Sequence, residues 1–391
     1  MMKKPFITVM TSYYNDQEFL ADVISSVLAQ TYTHFEYILV NHASTDKSRE
    51  IAHSFKDPRI KHIDLPMNYG GSGNILIKKA LEVARGEYLK IICADDMLRP
   101  NGLEILVKAA QAQNADLLFG NVAFVKADKT SLGKTWFAHR YPAGLSAAEY
   151  LRHFISGTSE FPYAGNFVKI SALRKVPMDY VSIQLADVGL WVSLLFNGAK
   201  LAFSQKIVAD YRIHPRQISS ASKLQIIGFR CLLEHFLYYK NYLTARTSVK
   251  FLQKIFPQAK YLAQLTEQDR DFVPFAVAHA LYETTNIPAC ILACRLKLAE
   301  ILNNYELAGR IEKKFGYTIK DLRDDIVNRP INLLKIDPHA VHDNRPVLKN
   351  APLKEMSYFY WRRLWFAVSG HEHREKRRQQ KRRKQNEIGI V

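Results

Sequence analysis

The stretch ARGEYLKIICADDMLRP, residues Ala84–Pro100, decides the fold class. Its apolar run Tyr88–Cys93 is typical of a strand that is buried on both faces. Asp95 and Asp96 follow that strand, and Pro100 suits the first turn of a helix. Carboxylates directly after a buried strand are costly unless a cation or a hydrogen-bond donor compensates them. The stretch therefore predicts a strand of an α/β sheet that ends at a polar site.

The chain around this stretch alternates strand and helix patterns. Apolar β-branched runs predict strands, and apolar residues at helical spacing predict helices. The predicted order is strand Phe6–Thr11, helix Asp16–Gln30, strand Tyr37–Val40, helix Ser44–Phe55, strand Arg59–Leu65, helix Gly73–Ala84, strand Tyr88–Cys93, helix Pro100–Gln113 and strand Ala115–Phe119. Such alternation implies a mostly parallel sheet with helices on both faces, and a ligand site beyond the carboxyl ends of its strands.

The length of 391 residues suggests two or three domains. We expect an α/β domain in residues 1–222, whose last part mixes the helix Ala186–Phe196 with the strand Lys206–Ile213. Residues 223–328 are helical by periodicity and predict a helical C-terminal region. Residues 329–391 contain four prolines up to Leu353, then an aromatic segment and a basic tail.

Composition excludes several classes of protein. An apolar fraction of 48% is too high for a disordered chain, and the longest apolar runs are far shorter than a membrane span. The short apolar run at the N-terminus is not followed by a cleavage site, so we expect no secretory signal. Four cysteines without paired spacing predict neither a disulfide framework nor a zinc site. These features favour a cytoplasmic protein.

The positive charge is concentrated at the C-terminal end. Residues 361–391 carry ten Lys and Arg and three Glu, which is +7 of the net +18. The segment Met356–Gly370 places Trp361 and Trp365 on one helical face, and a basic run follows it. This pattern predicts a helix lying on an anionic membrane surface. Docking of the aromatic segment on the helical region is the alternative, whereas nucleic-acid binding by the tail is not expected.

Three other motifs each allow a structural and a functional interpretation. Asp95 and Asp96 either bind Mg²⁺ or Mn²⁺ or form a solvated loop in which Asp96 caps the next helix. The glycine-rich turn Asn68–Asn74 either cradles a phosphate at the helix N-terminus or is a tight turn whose backbone faces a ligand. Asp187 either caps its helix or acts as a general base. The end of the strand before Pro215 could likewise place Arg212 and His214 near a diphosphate.

Taken in order, these motifs resemble glycosyltransferase family 2, whose members have the GT-A fold. The resemblance covers roughly residues 5–220. It rests on Ile7–Asn15 (ITVMTSYYN), Ser25–Thr31 (SSVLAQT), Tyr37–Asp46 (YILVNHASTD), Asn68–Asn74, Ala84–Tyr88 (ARGEY), Ala94–Pro100 (ADDMLRP), Asp187–Trp191 and Tyr211–Ser219 (YRIHPRQIS).

The resemblance implies a role for each matched residue. Thr11 and Tyr13 would line the nucleoside pocket, with Tyr13 packing on the base, and Asp95 would face the ribose or the donor sugar. Asp96 would bind a divalent metal (Mg²⁺ or Mn²⁺), supported by His214. Asp187 would take the proton from the acceptor hydroxyl. The complete set implied for the donor is Thr11, Tyr13, His42, Asn74 and Asp95.

Three positions depart from the family pattern. Asn41-His42 stands where the family usually has two acids, of which the second commonly accepts a hydrogen bond from uracil N3. His42 could accept that bond only as a neutral imidazole with a free nitrogen, so the identity of the base stays open. Gly73 replaces a common basic residue, and Ala186 replaces an acid before Asp187.

The resemblance implies an inverting transfer of a sugar from a nucleotide-diphosphate donor to a hydroxyl of a glycan or glycolipid acceptor. Synthesis of a cell-surface polysaccharide, a capsule or a lipooligosaccharide is the expected setting. A peripheral position on the cytoplasmic face of the membrane and a homodimer are further expectations. The alternative is a non-catalytic nucleotide- or sugar-binding scaffold that keeps the fold.

Overall fold

The structure is a computed structural model, and it describes residues 4–70, 73–138, 144–155, 161–178, 186–217, 234, 236, 238–239, 242–243, 247–285 and 287–328. The strands in these ranges are β1 (Ile7–Tyr13), β2 (Phe35–Asn41), β3 (Ile60–Asp64), β4 (Tyr88–Ile91), β5 (Met97–Leu98), β6 (Leu117–Lys126), β7 (Ser131–Thr135), β8 (Asn166–Lys169) and β9 (Leu201–Ile213). The helices are α1 (Leu20–Leu28), α2 (Ser48–Ser54), α3 (Gly73–Val83), α4 (Gly102–Gln113), α5 (Ala147–Ile155), α6 (Ile170–Leu173), α7 (Ala186–Phe196), α8 (Val249–Ile255), α9 (Val273–Thr284), α10 (Pro288–Leu302), α11 (Tyr305–Phe315) and α12 (Ile319–Asn328).

The described strands form one nine-stranded sheet in the order β3-β2-β1-β4-β8-β6-β9-β5, with β7 paired to β6. β3, β2, β1 and β4 are parallel, as their alternation with helices predicts. The second half of the sheet is mixed, because β8 lies antiparallel between β4 and β6. The long strand β9 runs parallel to β6 and pairs antiparallel with the short strand β5. The prediction of a parallel sheet therefore holds for its first four strands.

Helices cover both faces of the sheet, which confirms the predicted layers. In β2, Tyr37 and Leu39 pack into one apolar cluster with α1 and α4, whereas Ile38 and Val40 pack into a second cluster on the opposite face. This division follows from the alternation of side chains along a strand. A run such as FEYILVN therefore has to be apolar throughout, and every residue of β2 is buried.

The helix α7 and the helices after β9 extend the second cluster. Trp191 of α7, Leu252 of α8 and Phe275 of α9 are fully buried in the same apolar core as Ile38. The helical C-terminal region thus packs on the face of the sheet that α3, α5 and α7 cover. The predicted boundary at residues 222 and 223, the aromatic segment and the basic tail lie outside the described residues.

None of the helices in the described part of the chain combines the length and the apolar character needed to span a bilayer.

Candidate active site

The carboxyl ends of β1, β2 and β4 meet at one edge of the sheet because these strands are parallel and adjacent. Asn15 joins the loops after β1 and β2, since its side-chain Oδ1 accepts hydrogen bonds from the backbone N–H groups of Thr45 at 2.8 Å and Asp46 at 3.3 Å. Asn15 has a φ of 57°, a left-handed conformation that asparagine tolerates better than most residues. These hydrogen bonds hold the two loops together at the sheet edge where the alternation of strands and helices predicts a ligand site.

Asp96 is buried at the end of the turn that follows β4. Its backbone N–H donates to the Cys93 carbonyl at 3.2 Å, which closes the turn. Its Oδ1 accepts from the backbone N–H of Arg212 at 3.0 Å. Its Oδ2 is buried without a hydrogen-bond partner in the protein, and the residue is 1% exposed. Burial, and next the charge of Asp95, raise the pKa of Asp96 well above its ordinary value.

Asp95 is more exposed than Asp96 and contacts His214. The Nε2 atom of His214 lies 3.0 Å from Asp95 Oδ2, and the His214 side chain is largely buried. The pairing of β5 with β9 brings the two segments together, because Met97 lies opposite Asp210. The carboxylate beside the His214 imidazole is thus that of Asp95, whereas one oxygen of Asp96 accepts from the Arg212 amide.

These side chains fit a divalent cation. One ligand atom from each of Cys93, Asp95 and Asp96 lies within 4.8 Å of the other two. The unpartnered Asp96 Oδ2 is a buried oxygen that a cation would satisfy. Asp16 is coupled to this corner, since burial and then the charges of Asp95 and Asp46 raise its pKa to about 6. Sequence reasoning did not identify Asp16.

Arg212 does not face this corner. Its guanidinium donates to Asp22 at 2.9 Å and to the Ala127 carbonyl at 3.0 Å, and it lies over the Phe19 ring at 4.5 Å. The side chain is therefore an internal anchor between α1 and the end of β6. This placement favours the structural interpretation of the strand end, and the Arg212 backbone N–H holds Asp96.

Thr11 and Tyr13 are buried rather than lining a pocket. Thr11 is 0% and Tyr13 2% exposed, and the Thr11 hydroxyl accepts a hydrogen bond from Tyr37 at 2.9 Å. Both residues lie on the face of β1 that α1 covers, so Tyr13 cannot pack on a base in this conformation. The exposed aromatic rings near the same edge are Tyr14 at 44% and Tyr69 at 36%, which sequence reasoning missed.

His42 lies between those two tyrosines. Its ring is stacked on Tyr69 with a centroid distance of 5.9 Å and meets Tyr14 edge-on at 6.3 Å. Its Nε2 accepts a hydrogen bond from the backbone N–H of Tyr69 at 2.7 Å, and burial lowers the pKa of His42. The neutral ring therefore carries its proton on Nδ1. The acceptor nitrogen that a hydrogen bond from uracil N3 would require on His42 is already occupied, so in this conformation the ring can only donate.

The start of α7 lies beside the start of α3. A Cβ atom on Gly73 would stand 3.6 Å from that of Ala186, so the glycine-rich turn approaches Asp187. Residues 71–72 of that turn and residues 179–185 lie outside the description, and Asn74 is buried in the first turn of α3. Gly73 and Ala186, two positions that depart from the family pattern, are thus neighbours in space.

Asp187 is half-buried in the first turn of α7. Burial raises its pKa to about 6, partly offset by backbone hydrogen bonds at the start of the helix. The charges of Cys93, Asp187 and Asp96 all act on Tyr163, and together with burial they raise the pKa of its phenol. Asp187 and the Asp95–Asp96 turn are therefore within electrostatic reach of one tyrosine. A carboxylate with this pKa can take up a proton near neutral pH.

Three comparisons with known proteins agree with this geometry. Residues 8–167 match the model of the family "Glycosyl transferase family 2". The putative teichuronic acid biosynthesis glycosyltransferase TuaG of Bacillus subtilis is 28% identical over 219 residues, which are 56% of this chain and 82% of that protein. Glycosyltransferase GlyG of Streptococcus pneumoniae is 35% identical over 117 residues, or 29% of this chain and 38% of that protein.

Among solved structures, residues 1–349 of S. aureus TarS in complex with UDP-GlcNAc superpose with a TM-score of 0.50 at 15% identity. The match covers 82% of this chain and 90% of that one, and it supports the fold. The order of motifs, the family match and the sheet with its flanking helices lead to the same assignment. By these comparisons, residues 8–167 form a glycosyltransferase family 2 domain, with a GT-A-like α/β sheet that is followed by a helical region.

Proposed function

We propose that the protein transfers a sugar from a nucleotide-diphosphate donor to a hydroxyl of a cell-envelope glycan or glycolipid, with inversion at the anomeric carbon. The single observation that carries the proposal is the buried Asp96 carboxylate, whose Oδ2 has no hydrogen-bond partner in the protein and which lies beside Asp95. A non-catalytic scaffold would require neither two adjacent carboxylates in one turn nor a carboxylate base with a raised pKa.

Asp95, Asp96 and His214 would hold Mg²⁺ or Mn²⁺. A divalent cation bound there neutralises the negative charge that develops on the leaving diphosphate. The protein contributes the preorganisation of this site: the Arg212 amide fixes one oxygen of Asp96, and His214 orients the Asp95 carboxylate. Tyr14 and Tyr69 would contact the nucleoside through the exposed parts of their rings, close to the Nδ1–H of His42 that lies between them.

Asp187 would act as the general base. Its pKa of about 6 leaves it mostly ionised at neutral pH, so it can accept the proton of the attacking hydroxyl. One general base without a covalent intermediate corresponds to a direct displacement, which inverts the anomeric carbon. The charge that Asp187 exerts on Tyr163 supports its position close to the donor site.

The acceptor class is supported by the names of relatives. TuaG is described as acting in teichuronic acid biosynthesis, and we propose a related polymer of the cell envelope as the acceptor of this enzyme. We also propose that residues 356–385 hold the enzyme on the cytoplasmic face of an anionic membrane and that the helical region 223–328 allows dimerisation. Loss of membrane co-sedimentation after truncation at Leu353 would support the first proposal.

The experiment that tests the function measures nucleoside diphosphate release from UDP-GlcNAc and GDP-mannose with Mn²⁺, with and without a cell-envelope glycan extract. Turnover should fall sharply in Asp95→Asn and Asp187→Asn. Asp271→Asn is the matched control, because this exposed carboxylate pairs with Arg310 on the helical region. Equal turnover in the wild type and both site variants contradicts the proposal. Nucleotide binding without any turnover favours the scaffold.

A further inference from the structure

Cys93 lies in the same turn as the two carboxylates. Its Sγ and one carboxylate oxygen each from Asp95 and Asp96 are mutually within 4.8 Å. Ligand distances of about 2.3 Å for sulfur and about 2.1 Å for oxygen place adjacent ligands of one cation roughly 3.0–3.6 Å apart. The turn therefore needs only small side-chain adjustments for all three atoms to reach the same cation.

A second observation points to a ligand at this position. The Asp96 side chain is almost completely buried, and its Oδ2 has no hydrogen-bond partner in the protein. Its other oxygen is fixed by the Arg212 amide at 3.0 Å, so the carboxylate cannot turn to solvent without losing that bond. A buried oxygen without a partner is costly unless a ligand satisfies it.

The donor atoms at this corner differ in chemical softness. Asp95 and Asp96 offer oxygen, and His214 adds an imidazole nitrogen 3.0 Å from Asp95. Carboxylates suit Mg²⁺ and Mn²⁺, whereas thiolate and imidazole ligands favour Zn²⁺ and Co²⁺. A site that includes Cys93 would therefore have a different metal preference from a site of carboxylates alone.

Resting on the proposed function, we propose that Cys93 is a sulfur ligand of the divalent cation at Asp95 and Asp96. The thiol proton is released to solvent when the bond between sulfur and the cation forms, and no oxidation or reduction takes place. The site then selects Co²⁺ and Zn²⁺ over Mg²⁺. Of the cysteines in the described residues, Cys290 and Cys294 are buried in α10, in the apolar core of the helical region.

The test is a titration of the full-length protein with Co²⁺ alone, monitored by absorption. A thiolate ligand gives a sulfur-to-cobalt charge-transfer band in the near ultraviolet, and the visible d–d bands report bound Co²⁺ whatever its ligands. We expect both signals in the wild type and in Cys294→Ala, the control that removes a thiol elsewhere. Cys93→Ser should lose the charge-transfer band and keep the d–d bands.

A competition measurement gives a second readout. The ratio of the Mg²⁺ and Zn²⁺ dissociation constants should fall by at least about tenfold in Cys93→Ser, because the hydroxyl is a poorer ligand for Zn²⁺. Circular dichroism verifies that the variant is folded. An unchanged charge-transfer band in Cys93→Ser overturns the proposal. Wild-type d–d bands without a charge-transfer band also overturn it but leave the metal role of Asp95 and Asp96 intact, whereas no Co²⁺ binding overturns both.

Discussion

The pKa of Asp187 predicts the acid limb of the pH–rate profile. A general base must be ionised, and burial raises the pKa of this carboxyl to about 6. With that pKa the ionised fraction is about 90% at pH 7 and about 10% at pH 5. Because the folded pKa is raised, activity is lost as the pH falls through about 6. The turnover rate should fall roughly tenfold for each further pH unit below that value.

The assay is nucleoside diphosphate release at saturating donor between about pH 4.5 and pH 8. Asp187→Asn should lower kcat by about 10²–10⁴-fold, leave donor binding nearly unchanged and abolish the limb near pH 6. Asp16→Asn is the matched control, since the pKa of Asp16 is also raised to about 6 but this residue follows β1. A limb that persists in Asp187→Asn and disappears in Asp16→Asn would refute the assignment of the base.

Three further predictions test the packing around the site. Lys90 is completely buried and burial lowers its pKa to about 7, so the unfolded chain binds more protons above that pH. The free energy of unfolding from urea titrations should therefore rise with pH from about 7 to 10. The slope of this rise should be greater in the wild type than in Lys90→Met, by at most about 1.4 kcal/mol per pH unit. Gly165→Ala should destabilise the fold by about 1–3 kcal/mol in the same assay, because the new Cβ would stand 2.2 Å from the Gly120 carbonyl oxygen. Tyr14→Ala should weaken nucleoside diphosphate binding by about tenfold or more in calorimetry, because it removes an exposed ring on which the base can stack. Tyr13→Phe is the control and should leave binding unchanged, because the Tyr13 ring is buried. Equal effects of the two substitutions would mean that the base binds elsewhere.

The order of the first elements could be predicted from the sequence because it depends on local patterns. Apolar β-branched runs such as Phe6–Thr11 and the helical spacing in Asp16–Gln30 report burial directly. The strand β8 has only four residues, Asn166–Lys169, and its antiparallel place between β4 and β6 depends on long-range pairing. No local pattern predicts such a pairing.

The sequence motifs indicate which types of residue to expect at the candidate site, but they do not predict the contacts among those residues. The choice between Tyr13 and Tyr14 depends on which face of β1 the helix α1 covers. The proton position on His42 depends on the backbone N–H of Tyr69, which lies 27 residues further along the chain. The pairing of His214 with Asp95 rather than Asp96 depends on the register between β5 and β9. Each of these contacts is set by tertiary structure.

The most direct test of the central claim is a thermal-shift measurement with UDP, dTDP, GDP and CMP, each with Mn²⁺ and with EDTA. A ligand at about 100 times its Kd stabilises the folded state by about 2.7 kcal/mol, which raises the Tm of a chain of this size by a few degrees. We predict that at least one nucleoside diphosphate raises the Tm with Mn²⁺ only, and that Asp95→Asn loses the increase. An equal increase in EDTA, or none with any of the four nucleotides, would contradict a metal-assisted donor site at the Asp95–Asp96 turn.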